Sequence, residues 1–293
     1  MEKAKLLVVF CEGPHDAEFL ARILKTLNGC EDYSKNKLKT YPQTLGRYYE
    51  GIVKNLDFWE KNKQSIFGSI PLPVVLKQSE DTFILIHSVG GDTKWQEAKK
   101  ILQNFLDLAS SSTFGKFETH FTLFYDADEP PKNAGNRLEM AKSQFIEIFN
   151  SEINTSLISE MKLNNSVKLL DGIVLGNFVF SKEGEDTGDL EDILHPMMSI
   201  DEEGKSNADI FKEAAIFIDK HFKDDRFKGT FYRKKSIIGI AGQLQFSGSA
   251  NTVIISSSDY LSEEKLRKDV KTQEIATFFH TIFMKIIDNQ ASI

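Results

Sequence analysis

The chain has 293 residues, a hydrophobic fraction of 41%, a charged fraction of 27% and a formal net charge of −7. These are the proportions of a water-soluble folded protein with room for a sizeable core, in one large domain or two small ones. The acidic balance argues against coating nucleic acid by bulk attraction, and no apolar window approaches the ~18 residues of a membrane span.

The N-terminal run Leu6–Phe10 is short, continuous and apolar, the pattern of a strand buried on both faces. It stops at Cys11-Glu12, too early and without the small-residue cleavage site of a signal peptide, so a cytoplasmic location is expected. Cys11 and Cys30 show neither metal-ligand spacing nor a disulfide framework and are read as reduced thiols. From Asp16, the residues Phe19, Leu20, Ile23, Leu24 and Leu27 recur at helical spacing, and Asn28-Gly29 marks a helix stop.

Residues 31–80 are polar, sprinkled with aromatics and carry Pro42, Pro71 and Pro73. They read as an insertion or irregular lobe outside the sheet, with a helix around Tyr48–Asn62. Thr82–His87 is a second strand, followed by Gly90-Gly91, a pair that forms a tight turn or lets backbone amides approach a phosphate. Lys94–Leu108 is an amphipathic helix with Ala98, Ile101, Leu102, Phe105 and Leu108 on one face. Thr119–Tyr125 is a third strand and leads into Asp126-Ala127-Asp128. Ala134–Ser151 is helical, and Val167–Phe180 holds one or two strands broken at Asp171-Gly172. Repeated strand–helix units imply right-handed crossovers and a mostly parallel sheet. Beyond Ser181 the chain turns helical, at Asp189–Leu194, Ala208–Phe222, Lys234–Phe246 and Ser262–Ile287, with His195-Pro196 read as a helix end.

Functional groups of open parallel sheets gather beyond the carboxyl ends of the strands. Here the first strand ends at Glu12, the second at His87, and the third at Asp126 and Asp128. Alternate residues of an extended segment point the same way, which would aim Asp126 and Asp128 at one cation. Crowded carboxylates raise one another's pKa, and a hard divalent cation such as Mg²⁺ or Mn²⁺ relieves that repulsion. Plainer readings stand beside these. Glu12 and Asp16 suit the positive start of the following helix. Asp126 and Asp128 suit a turn before Pro130-Pro131. His87 suits a satisfied strand-end histidine.

The segments VVFCEGPHDAEFL and LFYDAD resemble the TOPRIM domain shared by topoisomerases, bacterial primases, OLD-family nucleases and small ribosomal-RNA maturases. The resemblance covers roughly residues 4 to 195 and rests on Glu12 followed by the Asp126/Asp128 pair. Asp16 matches the second acid of the E-x-x-x-D form found in OLD-like members. GDLEDIL at 188–194 is similar to a segment of stand-alone TOPRIM-like proteins, whose glutamate would be Glu191, although Asp189 stands where threonine is usual. A lysine is also typical of that group, and Lys234 and Lys235 are the candidates.

The resemblance implies an α/β domain over 1–195, a mostly parallel sheet flanked by helices, and a mainly helical C-terminal extension over 196–293 packed on it. It further implies Mg²⁺-dependent phosphodiester hydrolysis or nicking of nucleic acid. Asp126 and Asp128 would hold the metal, with Glu12 as general base or a further ligand, Asp16 and Glu191 at a second metal, and Lys234 or Lys235 beside the charged transition state. The basic cluster KGTFYRKK offers Arg233 to a phosphate and Tyr232 to a base; its plain reading is a solvated helix start. Two alternatives stay open. One is a non-catalytic module binding a nucleotide, nucleic acid or protein, and the other an enzyme acting on a small phosphorylated molecule.

Overall fold

In the computed structural model the described residues are 4–33, 45–50, 73–90, 94–110, 117–202, 204–221 and 230–288, with 230–232 described by backbone alone. They build an α/β fold around a seven-stranded sheet. Strand β1 (Ala4–Cys11) lies between β4 (Thr82–Ser88) and β5 (Phe117–Asp126) and is parallel to both. Strand β5 continues in parallel to β7 (Val174–Phe180). The margins are antiparallel: β3 (Val74–Lys77) on β4, β2 (Glu31–Asp32) on β3, and β6 (Asn165–Lys168) on β7.

The alternation of β1 sorts its side chains between two core layers. Leu7, Val9 and Cys11 face one layer, and Leu6, Val8 and Phe10 the other. The second layer is filled by Ala98, Leu102 and Phe105 of α2 (Trp95–Ser110), by Ala141 and Phe145 of α3 (Ala134–Ile148), and by Leu45 and Tyr49. The short helix α4 (Glu152–Ser159) adds Ile158 to it. In that layer His87 sits buried with its Nε2 3.2 Å from the Tyr49 hydroxyl, and burial lowers its pKa to about 3. It is a satisfied core histidine.

The first layer joins α1 (Pro14–Leu27) to the C-terminal helices: α5 (Leu190–Met198), α6 (Asn207–His221), α7 (Thr230–Gly242), α8 (Asn251–Ser257), α9 (Glu263–Lys268) and α10 (Val270–Ile287). Its centre is aromatic. Phe124 of β5 lies 5.5 Å from Phe178, 5.6 Å from Phe278 and 5.5 Å from Phe279, within the range of favourable ring pairs. Gly176 permits this contact, because a Cβ there would fall 2.9 Å from the Phe278 ring.

Several boundaries differ from the sequence reading. Part of the stretch 31–80 belongs to the sheet. Val74–Lys77 is hydrogen-bonded to a strand on each side, since Val75 and Leu76 bury apolar side chains that the surrounding polarity obscured. Of the expected helix from Tyr48, residues up to 50 are helical and the remainder lies outside the described residues. The proposed division at residue 195 falls inside α5, which continues through Pro196 to Met198 and forgoes the one backbone bond that proline cannot donate. The helix expected over Lys234–Phe246 is instead Thr230–Gly242, and α8 follows it. The helix expected to span Ser262–Ile287 breaks at Asp269, whose carboxylate accepts the Thr272 amide at 2.8 Å as a cap. The helix expected to run from Ala134 to Ser151 ends at Ile148, and Ser151 caps α4. Among the described residues no helix is long and apolar enough to cross a membrane.

The shared aromatic layer sets two expectations. A fragment ending at residue 195 strips Phe124 and Phe178 of their cover and is expected to show no cooperative thermal unfolding. In the full chain, Phe124→Ala is expected to lower the urea-derived unfolding free energy by about 3–5 kcal/mol, whereas Leu170→Ala, at a side chain 72% exposed, changes it by less than about 0.5 kcal/mol.

Candidate functional site

Parallel pairing of β1 with β5 brings their carboxyl ends side by side, and the side chains there interlock. The Asp126 amide donates to Glu12 Oε1 at 3.2 Å. The Asp126 carboxylate turns inward, is 7% exposed, and accepts the Leu190 amide at 2.9 Å from the N-terminus of α5. Asp16 is 6% exposed at the start of α1, where its Oδ2 accepts the Gly13 amide at 2.7 Å. Its helix-capping role and its place in the cleft therefore hold together. Glu191 is buried in the first turn of α5, with Oε1 3.3 Å from His15 Nδ1 and 3.5 Å from Lys235 Nζ. A cleft of about 510 Å³ opens between these groups, lined by Glu12, Pro14, His15, Asp16, Gly90, Asp126, Asp128 and Lys235.

Asp126 and Asp128 both line the cleft, but not through the extended alternation expected for them. Asp128 has φ of 63°, a left-handed conformation that breaks the extended alternation. Its backbone pairs with Gly188 in both directions, at 2.8 and 2.9 Å. Gly188 has φ of 121°, and a Cβ there would meet the Lys182 amide nitrogen at 3.0 Å. The Asp128 carboxylate, about a third exposed, is ion-paired with Arg137 and with Lys132 at 3.1 Å. Arg137 is 4% exposed; its Nε donates to the Asp126 carbonyl at 2.9 Å and a terminal nitrogen lies 4.0 Å from Glu12 Oε1.

Burial and crowding decide the electrostatics. Asp16 is pushed up to about 7, first by desolvation and then by Glu12 and Glu191, against the pull of the Gly13 amide and Lys235. Asp126 is held well above the usual carboxylate range by desolvation, then by Asp16, Glu12, Glu191 and Asp189. Lys234 stands apart from the cleft. It pairs with Asp192 at 2.7 Å and Asp189 at 3.3 Å, tying α7 to the capping box of α5.

The remaining sequence candidates divide clearly. Of the two lysines, the structure places Lys235 at the cleft and Lys234 at the helix cap. Gly90 lines the cleft, but its amide already donates to the Glu12 carbonyl at 2.8 Å, so it is committed to the fold rather than to a phosphate. Gly91 and the Tyr232 side chain lie outside the described residues. Arg233 makes a two-pronged pair with Asp219 at 2.7 Å for each bond, which uses the guanidinium fork that a phosphate would need. Arg137 and His15 are the groups that sequence reasoning missed or set aside. A signal for Arg137 existed: it sits in the first turn of the helix after the strand tip, and helical side chains lean back toward the N-terminus.

Hard divalent cations prefer oxygen donors, and Glu12, Asp16, Asp126 and Asp128 supply oxygen on every side of one cleft. The pKa values of Asp16 and Asp126 are raised first by burial and then by neighbouring acids, and a cation in the cleft would favour the charged forms of both. Among the described residues, however, no group of three His, Cys, Asp or Glu side chains is already arranged to hold an ion. The donor chemistry fits a metal; the side chains stand in a closed arrangement with Arg137 supplying positive charge.

The buried acids give a pH prediction for the metal-free protein. A carboxyl whose folded pKa is about 7 against an ordinary 3.8 stabilises the fold below the ordinary value, and loses that contribution as pH rises through the folded one. In EDTA, wild-type stability is expected to fall between about pH 4 and 7. Asp16→Asn keeps an oxygen for the Gly13 amide and is expected to flatten that fall. Urea titrations at several pH values read the difference, and identical slopes in both proteins remove Asp16 from the electrostatic cluster.

No protein-family model and no curated protein matches the chain. Its fold is similar to that in the crystal structure of hypothetical protein PH0156 from Pyrococcus horikoshii OT3, with a TM-score of 0.55 and 14% identity over 95% of this chain and 99% of that one.

Proposed function

We propose that the cleft performs metal-dependent phosphodiester hydrolysis or nicking of nucleic acid, in the manner of a TOPRIM-type carboxylate site. The observation that carries this reading is the pair of desolvated carboxyls, Asp16 and Asp126, facing one cleft with Glu12 between strand tip and helix start. Burying carboxyls beside like charges costs stability, and a site that binds a cation gives that cost a use.

In this reading Asp126 and Asp16, with Asp128 beside them, would hold Mg²⁺ or Mn²⁺. The chemistry such an ion would supply is polarisation of a phosphoryl oxygen and an offset of charge on the leaving oxygen. Glu12 at the rim accepts a proton from an attacking water, since its carboxylate stands nearer to solvent than that of Asp126. Lys235 and the N-terminus of α1 place positive charge against the phosphate. Glu191 holds His15 and Lys235 in place and would become a second-metal ligand only by giving up those contacts.

One observation favours a second reading. Arg137 already pairs with Asp128 and approaches Glu12, so the chain itself supplies positive charge at this edge of the cleft. A non-catalytic module that binds a nucleotide or nucleic acid through Lys235 and His15 would look the same.

Two measurements separate the readings. Labelled single-stranded DNA, duplex DNA and structured RNA, incubated with Mg²⁺, Mn²⁺ or EDTA, are expected to be cut only with metal and not by Asp126→Asn. Mn²⁺ at about 100 times its Kd is expected to stabilise wild type by about 2.7 kcal/mol in thermal melts and Asp126→Asn by much less. An equal metal response in both proteins removes Asp126 from the site. Binding without cleavage at any metal concentration supports the module, and turnover of only a small phosphate ester moves the substrate class.

A further inference from the structure

We infer that a cavity beside the acidic cleft receives one unpaired nucleobase of the strand whose phosphate lies in that cleft; the inference rests on the phosphodiester reading above. The cavity lies between α6 and α7, holds about 590 Å³, and is bordered by Phe217, His221, Ser236, Ile240, Asn251 and Lys235. Lys235 also borders the cleft, where its Nζ stands 3.5 Å from Glu191 Oε1. One lysine thus borders both subsites, which places them next to each other as the base and phosphate of one nucleotide require.

The lining suits a base. Phe217 is 56% exposed and Ile240 37%, so apolar surface stands uncovered at the mouth. The Phe217 and His221 rings lie 4.8 Å apart at a tilt of 46°, and the exposed Phe217 ring offers a face for stacking. Ser236 and Asn251 add polar groups at the edge. Asn251 Nδ2 donates to the Lys235 carbonyl at 2.9 Å, which fixes α8 against α7 beneath the cavity.

Charge selects the occupant further. A chain of net charge −7 repels a polyanion at long range, so a strand held here needs a contact that is not Coulombic. Stacking of bases on aromatic side chains is such a contact, and it tolerates any base sequence. A base inside an intact duplex cannot reach a side cavity without leaving its stack. The substrate class is therefore single-stranded nucleic acid, or a duplex with a frayed, flapped or extruded nucleotide.

The test is fluorescence anisotropy with two labelled strands of equal length and charge, oligothymidylate and its abasic counterpart, in Ca²⁺ buffer. Wild type is expected to bind oligothymidylate at least about 10-fold more tightly than the abasic strand, Phe217→Ala to shrink that ratio to about twofold, and Leu170→Ser, on the far β6–β7 turn, to preserve it. Equal binding of both strands by wild type overturns the inference, and so does a full ratio in Phe217→Ala. Cleavage of the same two strands with Mn²⁺ keeps the failures apart. If both are bound and cut alike, the phosphodiester reading stands and the base pocket falls. If neither is bound or cut, the phosphodiester reading falls and takes the pocket with it.

Discussion

Taking a carboxylate out of water is costly, and the structure buries Asp16, Asp126 and Glu191 within electrostatic reach of one another and of Glu12. What answers that cost organises the whole carboxyl edge of the sheet. Backbone amides at the starts of two helices answer part of it, Gly13 toward Asp16 and Leu190 toward Asp126. Lys235 answers another part at Asp16, while Arg137 pairs with Asp128 and approaches Glu12. The remainder shows as protonation held to higher pH than is usual for an aspartate.

This constraint makes the site a product of distant parts of the chain. Strands β1 and β5 supply the tips, the start of α5 supplies the Leu190 amide and Glu191, and α7 supplies Lys235. The aromatic layer under Phe124 holds these parts in register, because α10 packs Phe278 and Phe279 against the same strand that ends in Asp126. The C-terminal helices are thus part of the scaffold on which the cleft is built and share the first core layer with β1.

Much of this was legible in the sequence, for definite physical reasons. Strands buried on both faces are uninterrupted apolar runs, and their ends mark the functional edge, so Glu12 and Asp126 were found by their position alone. Three things were hidden. The left-handed backbone at Asp128 depends on a bridge to Gly188, sixty residues away, which no local pattern announces. Lys234 and Lys235 are neighbours in sequence but point to different partners, a difference set by how α7 crosses α5. Strand β3 was masked by Pro71, Pro73 and the polar residues before it, although Val74-Val75-Leu76 carried the signal. The short helix α8 was lost for a related reason: Asn251–Ser257 reads as a continuation of the Gly- and Ser-rich turn before it.

We propose that the acids at the tips of β1 and β5 form a cation site beside the Arg137–Asp128 pair. Anomalous diffraction from crystals soaked in Mn²⁺ tests it most directly. The expected result is a Mn²⁺ peak in the cleft, about 2.0–2.6 Å from oxygens of Asp126 and at least one of Glu12 and Asp16, with the Arg137–Asp128 pair parted or displaced. A cleft without a peak, with Asp126 still accepting from Leu190 and Asp128 still paired to Arg137, would contradict it.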